Sequence, residues 1–113
     1  MAKFSMFKGS NQKYYFHLKA DNGEKVLASE GYTAKQSCEN GIASVRTNSQ
    51  IDSRYDKRVS ANGNYYFNLI AGNNEVIGTS ELYTTASARD NGAAVVKRIA
   101  STASVEDLSL QVA

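Results

Sequence analysis

The sequence predicts an α+β fold in which residues 1–113 form one domain made of two tandem β-rich repeats. The first observation is a duplication, because residues 14–20 (YYFHLKA) return 51 positions later as residues 65–71 (YYFNLIA). The second is that side chains alternate along these stretches as they do in a half-buried strand. The third is helical spacing of apolar residues after each group of strands. Together they predict a sheet with its helices on one face.

The duplication extends well beyond one strand. Residues 11–46 align with residues 62–97 without a gap and share 16 identities in 36 positions. Two copies are fewer than a solenoid needs, so we expect the copies to close on each other as a pseudo-symmetric pair. Because this pair takes the place of a dimer, the sequence predicts a monomer.

Composition and charge limit the classes of function. The 13 basic and 11 acidic residues are well mixed, and a net charge of +2 does not require nucleic acid or an anionic membrane as partner. Cys38 is the one cysteine, which excludes an internal disulfide and favours a reducing compartment, the cytoplasm. The N-terminus does not read as a signal peptide, and no stretch approaches the roughly 18 apolar residues of a membrane span.

Three strands precede the helix in each copy. In the first copy they are predicted at residues 3–8, 13–20 and 24–29, with Asn- and Gly-containing turns between them. One face of the second strand is kept in both copies and should be the core: Tyr14, Phe16, Leu18 and Ala20. The other face changes between copies and should be the open face of the sheet: Tyr15, His17 and Lys19, with Tyr66, Asn68 and Ile70 in the second copy.

A helix of about fourteen residues should follow these strands in each copy. Thr33 and Gln36 fit a capping box, and Thr84 should begin the second helix. Gly41 and Gly92 lie inside the predicted helices, where glycine costs about 1 kcal/mol relative to alanine. Their presence in both copies suggests close backbone packing, such as one helix against the other, and a helix break at Asn-Gly is the alternative.

Two segments fall outside the strand–helix pattern. Residues 51–59 join the copies and contain neither proline nor glycine, so the copies should belong to one domain. Residues 105–112 alternate apolar and polar side chains from Leu108 onward, which predicts a final strand that must pair with another strand.

These motifs resemble the YegP-like family of small bacterial proteins. The resemblance rests on three spaced motifs, Tyr14-x-Phe16-x-Leu18-x-Ala20-x-Asn22-Gly23-Glu24, Ser29-Glu30-Gly31-Tyr32-Thr33-x-Lys35 and Asn40-Gly41-Ile42-x-Ser44-Val45. It implies two β-β-β-α-β units, residues 3–50 and 54–112, which share one antiparallel sheet around a pseudo-twofold axis and exchange their last strands. The second copy departs from the pattern at Asn74, Leu82, Ala86 and Val95. Roles of Gly31, Lys35 or Ser44 would therefore belong to the first copy alone.

The family resemblance does not supply an activity, so the function is argued from the residues. We expect a non-catalytic binding or structural module, with Tyr15, His17, Lys19 and Tyr66 as the candidate ligand face. The alternative is a single-stranded nucleic-acid binder that stacks bases on this open face. The second alternative is an enzyme in which Glu30 and Glu81 meet across the pseudo-twofold axis as an acid–base pair. The competing interpretation is structural: each glutamate stabilises the N-terminus of the helix that follows it.

No cofactor or dedicated metal site is expected. His17 and Cys38 are the only imidazole and thiol, and they lie in different elements without the spacing of metal ligands. They should also lie on opposite sides of the sheet, which argues against a nucleophile–base pair. The sequence contains neither a phosphate-binding loop of the GxxxxGK type nor a dinucleotide fingerprint.

Overall fold

The computed structural model describes residues 1–110, which form a seven-stranded sheet and two α-helices. The strands are β1 (Lys3–Lys8), β2 (Tyr14–Lys19), β3 (Lys25–Ala28), β4 (Tyr55–Val59), β5 (Tyr65–Ile70), β6 (Val76–Thr79) and β7 (Ser104–Asp107). The helices are α1 (Lys35–Asn48) and α2 (Ala86–Ile99), and a short 3-10 helix, Asp52–Arg54, precedes β4.

The order of strands across the sheet confirms the α+β fold class and the pseudo-twofold arrangement. The order is β4-β5-β6-β3-β2-β1-β7, so the two repeats meet where β3 lies antiparallel to β6. The residues paired at this junction, Ala28 and Thr79, occupy equivalent positions in the two repeats. All pairings are antiparallel except that of β1 with β7, which is parallel.

The strand that follows each helix lies in the other half of the sheet, which is the exchange of strands that the family resemblance implied. The chain leaves α1 and forms β4 against β5 of the second repeat, and it leaves α2 and forms β7 against β1 of the first. The predicted position of the final strand was partly wrong. Strand β7 ends at Asp107, where the Ser109 amide and hydroxyl donate hydrogen bonds to Asp107 Oδ1 and turn the chain. Residues 111–112 of the predicted strand lie outside the described residues.

The predicted division of the central strands into two faces is confirmed. Phe16 and Leu18 of β2 and their equivalents Phe67 and Leu69 of β5 have no exposed surface. Tyr14 and Ala20 are partly buried against this core. The alternate side chains, including Tyr15 and His17, are half-buried on the sheet face opposite the core.

The predicted capping box is wrong. Backbone hydrogen bonds of 2.7–2.8 Å pair Tyr32 with Tyr14 and Tyr83 with Tyr65, and they keep the chain extended before each helix. Helix α1 therefore begins after Ala34, without a side-chain cap. Helix α2 is capped by Thr85, whose hydroxyl accepts a 3.0 Å hydrogen bond from an amide of the first turn.

Gly41 and Gly92 both lie inside continuous helices, so the helix-break alternative is wrong. The close packing is confirmed, but its partner is a tyrosine of the same repeat rather than the other helix. An ideal Cβ on Gly41 would lie 2.9 Å from Cζ of Tyr32, and one on Gly92 would lie 2.7 Å from Cζ of Tyr83. Glycine is kept in both copies because a repeated tyrosine fills the space that a side chain would need.

Lys35 holds the added edge strand in place, which gives a physical role to a residue found in the first copy alone. Its ammonium lies 2.6 Å from Oδ2 of Asp107, and this hydrogen bond holds the Asp107 pKa below its usual value. We expect Lys35→Met to speed amide hydrogen exchange at Leu108, whose N–H donates to the Met6 carbonyl over 2.8 Å. The effect should be present near pH 7 and vanish as the pH falls through the lowered pKa of Asp107.

A matched control removes a lysine ion pair that does not touch β7. Lys57 lies 3.1 Å from Asp90, so Lys57→Met removes a similar exposed contact between β4 and α2. It should leave exchange at Leu108 unchanged. Equal exchange at Leu108 in wild type and Lys35→Met would contradict the role of Lys35.

Candidate functional site

A cleft of about 440 Å³ lies between the two repeats, on the helix side of the sheet. One wall is the hairpin that joins β2 to β3, and the other walls are the chain before α2 and α2 itself. We call it the inter-repeat cleft, and its lining is Ala20, Asp21, Asn22, Glu24, Val26, Glu81, Tyr83, Ala88, Asn91, Gly92, Val95 and Arg98. Sequence reasoning missed this site because its walls come from segments that are far apart in the chain.

Tyr83 occupies a fixed position in the cleft. Its backbone is held to Tyr65 by hydrogen bonds in both directions, of 2.7 and 2.8 Å. Its ring rests on the bare backbone of Gly92, which only glycine leaves open. The repetition of this tyrosine–glycine pair in both copies was the one signal in the sequence that pointed towards the cleft.

The electrostatics of the cleft are dominated by carboxylates. Burial raises the pKa of Glu81, and the nearby Glu24 raises it further, while Lys25 acts in the opposite direction. Burial also raises the Tyr83 pKa, followed by the charges of Glu81 and Glu24. Two glutamates from different repeats therefore act on the same region of the cleft.

The register of β3 and β6 places Glu30 and Glu81 at opposite ends of the junction, which argues against the acid–base pair of the second alternative. Their strands are antiparallel and are paired at Ala28 and Thr79, and each glutamate lies two residues beyond this pair in the opposite direction. About four residues of extended chain, or about 13 Å, therefore separate them along the strands. The carboxylate that acts on Glu81 is Glu24 of the other repeat.

On the open face, two of the four candidate ligand residues form a cluster with a third aromatic ring. Phe7 of β1 stacks on Tyr15 with 5.7 Å between ring centroids, and it meets His17 edge-on at 4.8 Å. The Tyr15 hydroxyl accepts a 2.8 Å hydrogen bond from the Asn11 side chain. Burial lowers the pKa of His17, and the charges of Lys25 and Lys19 lower it further, so the imidazole is neutral near pH 7.

Tyr66 does not join this cluster. It lies on β5, opposite Arg58 of β4, and two strands separate β5 from β2. With about 4.8 Å between neighbouring strands, Tyr66 is about 14 Å from β2 across the sheet. The open face therefore carries separate aromatic positions in the two repeats instead of one continuous platform.

The thiol of Cys38 is placed in the core. It has no exposed surface, and burial raises its pKa to about 11. A protonated, buried thiol is a poor nucleophile. Among residues 1–110, no group of three or more His, Cys, Asp or Glu side chains is arranged to hold a metal ion, and no helix is long and apolar enough to cross a membrane.

The fold and cleft define a tandem-repeat α+β protein whose repeats share one sheet and exchange strands. Residues 10–56 and 60–107 each match the family model described as a domain of unknown function, DUF1508, and the chain belongs to this family. It is 48% identical over 104 residues to the UPF0339 protein YegP of Escherichia coli K12, covering 92% of this chain and 94% of that protein. It is 47% identical over 106 residues to a UPF0339 protein of Shewanella oneidensis, covering 94% and 96% of the two chains.

Solved structures of two relatives have the same fold. The solution NMR structure of E. coli yegP, described as a protein of unknown function, matches with a TM-score of 0.93 at 45% identity and covers 98% of this chain and 96% of that one. The NMR structure of a Shewanella oneidensis UPF0339 protein matches with a TM-score of 0.92 at 46% identity, with coverages of 97% and 93%. The resemblance to the YegP-like family is thereby confirmed.

Proposed function

We propose that this protein is a non-catalytic binding module whose ligand occupies the inter-repeat cleft. The observation that carries the proposal is the cleft itself, with a volume of about 440 Å³ and walls from both repeats. Sites for small ligands have volumes of about 300–1,000 Å³ and combine apolar walls with a few polar groups. Val26, Val95 and the Tyr83 ring supply such walls here.

The charges of the lining favour a small ligand that carries an amino group. Asp21, Glu24 and Glu81 contribute three carboxylates, against the single guanidinium of Arg98. An ammonium group would be attracted by Glu81 and Glu24, since the charge of Glu24 already raises the pKa of Glu81. It would also be attracted by the face of the Tyr83 ring. The apolar walls would cover a short methylene chain.

The positions of the candidate nucleophiles and bases support binding without chemistry. His17 lies on the open face of the sheet, whereas Cys38 is buried among core residues on the other side. Glu30 and Glu81 are separated by the register of β3 and β6. No two of these groups are positioned to act together on one substrate.

Titration with 1,4-diaminobutane, followed by ¹⁵N-resolved NMR, tests the proposal. We expect shifts of the Tyr83, Gly92 and Val95 amides, and a loss of binding of about tenfold in Glu81→Gln, the size expected for one charged contact. Binding should weaken from pH 7 to pH 4. Burial raises the pKa of Glu81, so its carboxylate is among the first to be protonated as the pH falls.

Two controls separate the cleft from general attraction of cations. Val95→Trp should block the cleft and abolish the shifts, whereas Asp56→Asn removes a carboxylate from β4 and should leave them unchanged. Succinate, a dianion of similar length, should not bind. Diamine shifts spread over the acidic surface, unchanged by Val95→Trp, would reject the cleft as the site.

A further inference from the structure

Three lysines lie side by side across the first repeat's part of the sheet. Lys3 of β1 is paired with Lys19 of β2, and Lys19 is paired with Lys25 of β3. Residues directly opposite each other on neighbouring strands project from the same face, with Cβ atoms about 5 Å apart. We call these residues the lysine row, and it lies on the open face, which carries Lys19 and His17.

The close spacing of three like charges opposes folding of the isolated protein, while Glu106 attracts Lys19 and Glu81 attracts Lys25 at longer range. Like charges directly opposite each other in a sheet are destabilising. Within residues 1–110, Lys3 has a carboxylate partner, Glu106 Oε1 at 3.1 Å, whereas Lys19 and Lys25 have none within 4.0 Å. After burial, the charges of Lys25 and Lys19 are the causes that lower the pKa of His17 on the same face.

The second repeat demonstrates that the fold does not need this row. Its equivalents of Lys19 and Lys25 are Ile70 and Val76, which are paired in the same register and at the same irregularity between β5 and β6. Two apolar residues therefore satisfy the backbone geometry equally well. The lysines are a feature of the first repeat alone, and repulsion among them would be relieved by an anionic partner.

Aromatic rings continue the same face beyond the lysine row. Phe7 and Tyr15 lie one above the other in a stacked pair, with His17 between Tyr15 and the lysines along β2. Tyr15 and Lys19 are separated by about 13 Å of strand. That length corresponds to about four stacked nucleotides at about 3.4 Å each.

We propose that the lysine row and the neighbouring rings of Tyr15 and Phe7 bind a short segment of single-stranded nucleic acid. Lys19 and Lys25 contact phosphates, and the Tyr15 ring stacks on a base. A single strand fits better than a duplex because stacking on a side chain needs an exposed base face. The surface lies on the open face, and the inter-repeat cleft lies on the helix side of the sheet. The two adjoin at Lys25, whose chain neighbours Glu24 and Val26 line the cleft and whose charge lowers the pKa of Glu81.

Fluorescence anisotropy with a labelled decathymidylate measures this binding. For two phosphate contacts the logarithm of the association constant should fall with the logarithm of salt concentration with a slope of about −1.4. Raising the salt tenfold would then weaken binding about 25-fold.

The double variant Lys19→Ile, Lys25→Val gives the first repeat the residues of the second, and we expect it to lose at least tenfold in affinity and most of the salt slope. Tyr15→Ala should weaken binding while it leaves the slope unchanged.

The matched control removes the same amount of charge elsewhere. Lys57→Met with Lys97→Met eliminates two lysines that form ion pairs with Asp90 and Asp52. Thermal unfolding verifies that every variant folds. Unchanged affinity in Lys19→Ile, Lys25→Val, or an equal loss in the control, would overturn the proposal. So would tighter binding of the wild type to anionic phospholipid vesicles than to the oligonucleotide, with no effect of Tyr15→Ala.

Discussion

Replacement of Phe16 by alanine should lower the free energy of unfolding by about 3–5 kcal/mol, the usual cost of deleting a buried phenylalanine. The Phe16 side chain has no exposed surface. It meets Phe4 edge-on at 5.9 Å between centroids and stacks on Tyr32 at 6.4 Å, so its removal would leave a cavity between the sheet and α1. In urea unfolding the midpoint should fall by about 2 M, given a slope of about 2 kcal/mol/M.

The same variant tests our proposal that residues 1–113 form a single domain. Strands β3 and β6 join the repeats into one sheet, so loss of a core side chain in the first repeat should destabilise the second as well. NMR signals of Phe67 and Leu69 should disappear at the same urea concentration as those of the first repeat. Val59→Ala, at a side chain that is 57% exposed, should change stability by less than about 0.5 kcal/mol. Two separate transitions in Phe16→Ala would mean that the repeats unfold as independent domains.

The core and the strand order of each repeat could be predicted because the patterns that specify them are local and occur in both repeats. The period-2 pattern of Phe16 and Leu18 recurs in Phe67 and Leu69, and all four side chains are fully buried. Two independent copies of one pattern separate positions that the fold needs from positions that it tolerates. The exchange of strands came from the family resemblance, since no local pattern specifies which edge a strand joins.

Two predictions failed where a contact that the sequence pattern does not show overrode a local preference. The pairing of Tyr32 with Tyr14 keeps the chain extended beyond Thr33 and thereby removes the capping box. The hydrogen bonds of Asp107 end β7 before the alternating residues that follow it. In the first case the pairing partner, Tyr14, is distant in sequence. In the second, the alternating pattern continues through the turn and does not reveal it.

The candidate sites differ in how much of each could be predicted from the sequence. The open face followed from alternation, and the structure brings Tyr15 and His17 together through Phe7. The position of Tyr66 and the separation of Glu30 from Glu81 depend on the register between repeats, which no pattern within one repeat contains. The inter-repeat cleft depends on the same register, because its walls belong to both repeats.

Gly92→Ala should destabilise the protein by about 1 kcal/mol, although alanine is the better helix former by about 1 kcal/mol. The added Cβ would lie 2.7 Å from Cζ of Tyr83, closer than Cβ contacts in proteins. Hydrogen bonds to Tyr65 hold the backbone of Tyr83, so the ring can yield only by rotation of its side chain. Overpacking of this kind costs about 1–3 kcal/mol, which exceeds the gain in helix propensity.

A double-mutant cycle with Tyr83→Ala isolates this contact. Once the ring is removed, Gly92→Ala should stabilise the helix by about 1 kcal/mol, so the effect of the same substitution changes sign. Ala94→Gly, at an exposed position of α2, calibrates the propensity difference in the same helix. Gly41→Ala should repeat the result in the first repeat, where Cζ of Tyr32 lies 2.9 Å from the added atom. Stabilisation by Gly92→Ala in the wild-type chain, equal to the Ala94 value, would mean that the tyrosine moves aside without cost. The repeated glycine would then need another explanation.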